Sequence, residues 1–98
     1  MIKKQPVKGK KQVKVTYALP LEEVENKVSV VGDFNGWDPS KNTLIKRSNG
    51  TASVSITLKA GEHYAFRYVS EDGKWLNDAE ADEIELSPVG TKNSVVLT

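Results

Sequence analysis

Two adjacent segments with a two-residue hydrophobic period constrain the fold of this chain most strongly. In residues 51–59, Val54, Ile56 and Leu58 alternate with serine and threonine, and in residues 62–69 three aromatic residues alternate with other side chains (Tyr64, Phe66, Tyr68). The dipeptide Ala60-Gly61 between them is typical of a tight hairpin turn. We therefore predict two antiparallel strands that bury one face, with the aromatic residues in the core.

Shorter segments with the same character predict further strands. We place them at residues 12–18, 27–32, 43–47, 74–76 and 93–98. Leu21–Asn26 is acidic and short, which indicates a loop or a single turn of helix, and an irregular acidic stretch is expected to continue to Ser87. About seven short strands separated by turn signals predict an all-β protein, an immunoglobulin-like antiparallel β-sandwich.

The most distinctive turn is Val30–Pro39, with the sequence VVGDFNGWDP. It places Phe34 and Trp37 among residues that favour turns. A second tryptophan, Trp75, follows the turn signal Asp72-Gly73. Two indoles at strand ends favour a stacking surface for a sugar, or else ordinary packing; Phe34 is expected to be a core residue.

Size and charge limit the class of protein. A chain of 98 residues makes one domain, whereas a (β/α)₈ barrel needs about 250 residues. Residues 1–14 contain six lysines and no acid, so we expect a basic, flexible arm over residues 1–11 and a folded domain over 12–98. A basic arm on an acidic body is not typical of a nucleic-acid-binding domain. The chain lacks cysteine, a secretory signal and a membrane span, which predicts a cytoplasmic protein.

Catalysis, metal binding and cofactor binding are not expected. The chain has one histidine, His63, and no cysteine. Asp33 and Asp38 are turn residues of the kind that bond to nearby backbone. The acidic run at residues 78–85 lacks the glycine-centred spacing of a calcium-binding EF-hand loop. Glycoside hydrolysis would need two carboxylates across a bound sugar, in a cleft that a small sandwich does not readily build.

Three blocks of sequence resemble a known family. VVGDFNGWDP, GEHYAFRYVSEDGKWLNDAEAD and VGTKNSVV are similar in order and spacing to the early-set sandwich of carbohydrate-binding module family 48, the isoamylase N-terminal domain. Relatives precede the catalytic barrel of glycogen branching and debranching enzymes, and another is the glycogen-binding domain of the AMP-activated protein kinase β subunit. The resemblance implies a non-catalytic module for glycogen or another α-glucan, here as a stand-alone version.

The resemblance also implies a set of carbohydrate-binding residues. Trp37 and Trp75 match the two stacking tryptophans of the kinase-type domain. Arg67 falls about where that domain has a lysine, and Val89 replaces a leucine thought to thread through the curved glucan. Thr91 and Asn93 match directly.

Each of these residues also has a purely structural interpretation, and two functions remain open. The indoles are also consistent with packing, Arg67 with a solvated side chain, and Thr91 and Asn93 with shaping of a turn. The first function is α-glucan binding, with indoles on the sugar faces and polar groups at the hydroxyl rim. The alternative is a protein-interaction or regulatory early-set domain, associated with a glucan-metabolising enzyme, that has lost the sugar site. Exposure of both indoles on one surface would favour the first.

Overall fold

Two antiparallel sheets form a β-sandwich in the computed structural model, which describes residues 1–24 and 26–98, and of Glu23 the backbone alone. The four-stranded sheet has the order β1-β2-β5-β4, and the five-stranded sheet has the order β3-β6-β9-β8, with β7 beside β6. The strands are β1 Ile2–Pro6, β2 Gln12–Pro20, β3 Val28–Gly32, β4 Ile45–Lys46, β5 Thr51–Lys59, β6 His63–Ser70, β7 Trp75–Leu76, β8 Glu83–Leu86 and β9 Lys92–Leu97. The predicted fold class, an all-β immunoglobulin-like sandwich, is confirmed.

Strands β5 and β6 lie where the two-residue period predicts them, because this period leaves one face of each strand apolar. The tight hairpin predicted at Ala60-Gly61 is wrong, because β5 belongs to the four-stranded sheet and β6 to the five-stranded sheet. Strand β5 pairs along its whole length with β2 instead, so the turn carries the chain from one sheet to the other. Of the aromatic residues on β6, Phe66 and Tyr68 are fully buried, and Tyr64 is partly buried. The turn Leu21–Glu23 is a single turn of 3₁₀ helix, as expected. The third predicted strand is shorter than residues 43–47, since only Ile45 and Lys46 pair with β5, while Thr43 makes an isolated bridge to Ser29.

Two strands were not predicted, and both lie at sheet edges. Residues 2–6, within the predicted basic arm, pair with β2 as strand β1. Strand β8 lies within the stretch that was expected to be irregular, and it pairs with β9. Edge strands commonly carry charged side chains, which protect them from unwanted pairing but weaken the hydrophobic signal. Lys4 of β1 and Asp82 before β8 form an ion pair at 2.6 Å that joins the two edges.

The core lies between the sheets and is rich in aromatic rings. The ring of Tyr17 on β2 lies 5.0 Å from that of Phe66, in an edge-to-face arrangement. Phe34 packs on Tyr17 with ring centroids 5.5 Å apart, so its predicted place at the core is confirmed. Such aromatic pairs add about 0.5–1.5 kcal/mol to the stability gained by burial.

The outer face of the five-stranded sheet carries the opposite set of side chains. Since residues paired across a ladder share a face, Val31 and Arg67 lie together on it. The register that pairs Phe66 with Ser94 brings Arg67 opposite Asn93, and Asn93 in turn pairs with Glu85. Val69 pairs with Trp75 on the same face. This outer face therefore displays residues from four strands, β3, β6, β9 and β8, together with β7.

Candidate functional site

The turn after β3 starts at Gly32, where the backbone of β3 closely approaches the backbone of β6. A Cβ on Gly32 would lie 2.4 Å from the carbonyl oxygen of Ala65 and 2.8 Å from Cε2 of Phe34. No larger residue fits there without displacing β6. The backbone N–H of Asp33 donates to the same Ala65 carbonyl at 3.0 Å, so the turn leaves β3 directly against β6.

Asn35 holds the turn together from inside. Its Oδ1 accepts hydrogen bonds from the backbone N–H groups of Gly32 (3.0 Å) and Trp37 (3.1 Å). Its Nδ2 donates to the carbonyl of Val30 at 3.0 Å and to Oδ1 of Asn42 at 2.8 Å. Asn35 is 8% exposed. The two donated bonds use both hydrogens of the amide group, and the two accepted bonds occupy its oxygen. Asn35 is therefore a structural residue that sets the position of Trp37.

Trp37 has a left-handed backbone, with φ of 60° directly after Gly36 at 68°. A residue other than glycine pays about 1–2 kcal/mol for this conformation. The indole N–H donates to Oδ1 of Asp33 at 3.3 Å, and Oδ2 of Asp33 accepts the N–H of Ala65 at 2.9 Å. The chain thus tolerates strain in order to hold a partly exposed indole in one orientation, and strained residues of this kind cluster at functional sites.

Arg67 lies beside this turn on β6, and its guanidinium is held by two side chains. Its Nε donates to Oδ1 of Asn93 at 2.9 Å, and one terminal nitrogen donates to Oγ1 of Thr91 at 3.2 Å. Thr91 is itself fixed by Ser87, since the two hydroxyl oxygens lie 2.6 Å apart. Arg67, Thr91 and Asn93, which the family resemblance grouped together, therefore form one hydrogen-bonded cluster.

Trp75 adjoins the cluster from β7. The ladder pairs Val69 with Trp75, and the central guanidinium carbon of Arg67 lies 4.9 Å from the centroid of the Trp75 ring. This is the geometry of a cation–π interaction. The Trp75 side chain is 51% exposed. Neither indole is buried, and both lie on the outer face of the five-stranded sheet.

A shallow open depression joins five of the six predicted residues. Trp75 is the exception, because it lies on the far side of Arg67 and does not line the depression. The lining consists of Asp33, Trp37, Ala65, Arg67, Glu85, Leu86, Ser87, Pro88, Val89, Thr91 and Asn93. A ligand that touches both indoles therefore has to extend across Arg67.

Sequence reasoning missed most of the lining that comes from β8 and the following turn, with the exception of Val89. Leu86 and Val89 are 71% and 84% exposed, the two most exposed large apolar side chains of those described. Val89 was among the predicted residues, whereas Glu85 and Leu86 were not, since the acidic stretch around them gave no clear strand signal. Recognising a hairpin across residues 83–97 would have placed Glu85 beside Asn93.

The depression contains two carboxylates, Asp33 in the turn after β3 and Glu85 on β8. Both oxygens of Asp33 already accept hydrogen bonds from this chain, so its geometry is that of a structural acceptor. In the described part of the chain, no cluster of three or more histidine, cysteine, aspartate or glutamate residues is arranged to hold a metal ion. Of the helices that are described, none has the length and hydropathy needed to cross a membrane.

Comparison with known proteins shows the family to which the chain belongs. The profile of the carbohydrate-binding module 48 family (isoamylase N-terminal domain) matches residues 10–89. A 1,4-alpha-glucan branching enzyme, GlgB 2, from Xanthomonas campestris pv. campestris is 35% identical over 65 residues, which are 63% of this chain and 9% of that protein.

A second branching enzyme, from Rhodopseudomonas palustris, is 39% identical over 75 residues, which are 72% of this chain and 10% of that protein. The matched part of this chain thus spans about a tenth of the length of these relatives. Since the family profile covers most of the sandwich, the chain belongs to the carbohydrate-binding module 48 family.

Proposed function

We propose that this chain is a non-catalytic module that binds α-glucans such as glycogen or linear malto-oligosaccharides. The observation that carries the proposal is the display of two indoles, the partly exposed Trp37 and the exposed Trp75, on one face of the five-stranded sheet with Arg67 between them. The names of the branching enzymes that resemble the chain identify α-glucan as the polymer on which those proteins act. On this chain, the glucan specificity is our inference.

The chemistry of the outer face suits a neutral sugar chain. Indoles cover the apolar faces of glucose rings, and the remaining N–H groups of Arg67 donate to hydroxyls at the rim. Val89 and Leu86 add exposed apolar surface at the same depression. Because most of these contacts replace contacts with water, each hydrogen bond contributes about 0.5–1.5 kcal/mol. We expect dissociation constants from roughly micromolar to millimolar.

The position of Arg67 also sets a minimum ligand size. Trp75 lies outside the depression that contains Trp37, and the guanidinium of Arg67 separates them. A single glucose unit can occupy one indole only, whereas an oligosaccharide can contact both. Glucose is therefore expected to bind much more weakly than a linear malto-oligosaccharide.

Titration with a linear malto-oligosaccharide and with glycogen, followed by tryptophan fluorescence, tests the proposal. We expect a saturable change that is lost in Trp37→Ala and in Trp75→Ala. Ile45→Ala is the matched control, because Ile45 is 54% exposed on the other sheet. A β-linked cello-oligosaccharide of equal length controls for unspecific stacking. No change at millimolar malto-oligosaccharide, with the fold intact, would refute glucan binding.

Strand β8 favours a second candidate function, docking to a protein such as a glucan-metabolising enzyme. It is an edge strand whose Ile84 and Leu86 are 54% and 71% exposed, and exposed sheet edges accept an added strand from a partner. Ile84→Lys separates the two functions, since Ile84 does not line the sugar-facing depression. It should abolish docking and leave glucan binding unchanged.

A further inference from the structure

We infer that Thr91 and Asn93 are positioning residues that act through Arg67, and that Arg67 fixes the Trp75 indole for a ligand. This inference deepens the proposed glucan-binding function and rests on it. It differs from a simple list of rim contacts because it assigns Thr91 and Asn93 no sugar contact of their own. They affect ligand binding because they hold the guanidinium, which in turn holds the Trp75 indole in place.

Asn93 is the clearest case. The residue is 7% exposed, and its Oδ1 accepts the Nε–H of Arg67 at 2.9 Å. A side chain buried to this extent offers little surface to a ligand outside. Its amide oxygen is already used inside the protein, by a charged donor, and hydrogen bonds to charged groups are among the stronger ones. Asn93 is therefore built to hold Arg67.

Thr91 makes the second hydrogen bond to the guanidinium, and we call the pair Thr91 and Asn93, together with Arg67, the clamp. Its Oγ1 accepts from a terminal nitrogen of Arg67 at 3.2 Å and lies 2.6 Å from Oγ of Ser87. The backbone N–H of Thr91 also donates to Oγ of Ser87 at 3.2 Å, which fixes the hydroxyl in the turn before β9. Two bonds to a planar guanidinium determine the plane in which it lies.

Trp75 needs such a support because its own strand is short. Strand β7 has two residues and pairs with two positions at the end of β6. Half of the side chain is exposed, so packing alone leaves the indole poorly fixed. The guanidinium lies 4.9 Å from the centroid of the ring, and it therefore covers part of one face. The opposite face is the one we assign to the sugar.

This arrangement has an energetic purpose. Binding costs free energy when a mobile side chain becomes ordered, about 0.5–1.5 kcal/mol for each. A guanidinium that holds the indole before the ligand arrives removes part of this cost. Removing the clamp should weaken binding by the value of an exposed cation–π contact, which corresponds to about a two- to fivefold rise in Kd.

The test measures the accessibility of the Trp75 indole in the absence of sugar. In a Trp37→Phe background, Trp75 is the one tryptophan left, and acrylamide quenching reports its accessibility. We expect Arg67→Met, Asn93→Ala and Thr91→Val each to raise the quenching constant. Thr91→Ser should keep the original value, because it retains the hydroxyl. Thr57→Val, an exposed threonine on the other sheet, is the matched control and should change nothing.

Glucan titration of the same variants, with Trp37 intact, then decides how the residues act. If Thr91 and Asn93 act through Arg67, Arg67→Met combined with Asn93→Ala raises Kd no more than Arg67→Met alone. Additive losses in affinity with an unchanged quenching constant would overturn the inference and make both residues direct ligands. An unchanged quenching constant overturns it even if the protein binds no glucan. A raised constant in a protein that binds no glucan supports the clamp and refutes the proposed function alone.

Discussion

The phenol of Tyr68 donates a hydrogen bond of 2.7 Å to the carboxylate of Asp78, and both residues are buried in the sandwich. Burial, together with the nearby charge of Asp78, raises the pKa of Tyr68 above its ordinary value. Tyr17 is equally buried, and burial raises its pKa too. Its hydroxyl, however, has no hydrogen-bond partner in the part of the chain that the structure describes.

This contrast predicts that removing the hydroxyl has different effects on stability at the two tyrosines. Tyr68→Phe leaves the buried carboxylate of Asp78 with one donor fewer, and we expect it to lower the free energy of unfolding by about 1–3 kcal/mol. Tyr17→Phe removes a hydroxyl that is buried without a partner and should be neutral or slightly stabilising. Urea denaturation at neutral pH measures both. Equal destabilisation by the two variants would mean that Tyr17 also has a partner in solution.

A second prediction concerns the left-handed backbone at Trp37. Within a strand or helix, glycine is less favourable than alanine, but at a positive φ the order reverses. We expect Trp37→Gly to be more stable than Trp37→Ala by about 1–2 kcal/mol. Both variants should lose glucan binding to the same extent, because both lack the indole.

Trp75→Gly and Trp75→Ala are the matched control for this comparison. Trp75 lies in a strand, so there the alanine variant should be the more stable one. Thermal denaturation of the four variants gives the order directly. If alanine is favoured at both positions, residue 37 does not keep its left-handed conformation in solution.

A third prediction follows from the close approach at Gly32. Its absent Cβ would lie 2.4 Å from a backbone carbonyl oxygen, and a backbone group cannot move aside as a flexible side chain can. Gly32→Ala should therefore cost more than about 3 kcal/mol, the upper end of the usual range for overpacking. The measurement is the urea midpoint.

Gly50→Ala is the reference for this substitution. A Cβ on Gly50 would meet nothing within 4 Å, but the residue has a φ of +84°, so the variant reports the cost of the backbone conformation alone, about 1–2 kcal/mol. Similar losses for the two variants would show that β3 and β6 can separate slightly at little cost.

The fourth prediction is a dependence on acid pH at Asp82. Partial burial raises the pKa of Asp82, but hydrogen bonds from the backbone N–H of Leu97 and the ammonium of Lys4 outweigh it, so the pKa lies below its ordinary value. The folded state therefore binds this proton less readily than the unfolded state. The stabilisation is complete above the unfolded pKa, about 3.9, and is lost as the pH falls through the folded value.

Asp82→Asn should accordingly lower stability at pH 7 by less than about 1 kcal/mol, as expected for an ion pair at the surface whose side chains are partly exposed. It should also lose less stability than the original protein between pH 5 and pH 2 (about the range in which aspartate titrates). Denaturant midpoints across this range measure both effects. Glu83→Gln, which removes the neighbouring exposed carboxylate on β8, is the control and should leave the acid dependence nearly unchanged.

Much of the fold is predictable from local pattern. Strands β5 and β6 alternate apolar and polar residues, so their existence and their buried faces follow from the sequence. Their assignment to different sheets does not follow, because it depends on the partners that each strand finds elsewhere in the chain. Strands β1 and β8 do not follow, because each gains its structure from a neighbour at one edge. Residues 2–6 look like a lysine-rich tail until β2 pairs with them. The limits of the folded domain remain a prediction.

The sequence predicts several residues of the candidate site, but it does not predict the hydrogen bonds that join them. Alternation along β6 places Arg67 outward, and the family resemblance names its neighbours. Neither reveals that Asn93 is buried and bound to Arg67, because the contact depends on the register between β6 and β9. The sequence does not show the role of Asn35 either, since the two hydrogen bonds that its amide donates and the two that it accepts form only in the folded turn. The role of all these residues toward a sugar stays a prediction.

The division of β6 between its two faces has a practical consequence for engineering. Phe66 and Tyr68 point into the sandwich, whereas Arg67 between them points to the candidate ligand surface. A library that randomises the outward positions 67, 75, 85, 89 and 91 leaves the buried aromatic set untouched. The sandwich is in this sense a display scaffold, on which new recognition can be selected without first repairing the fold.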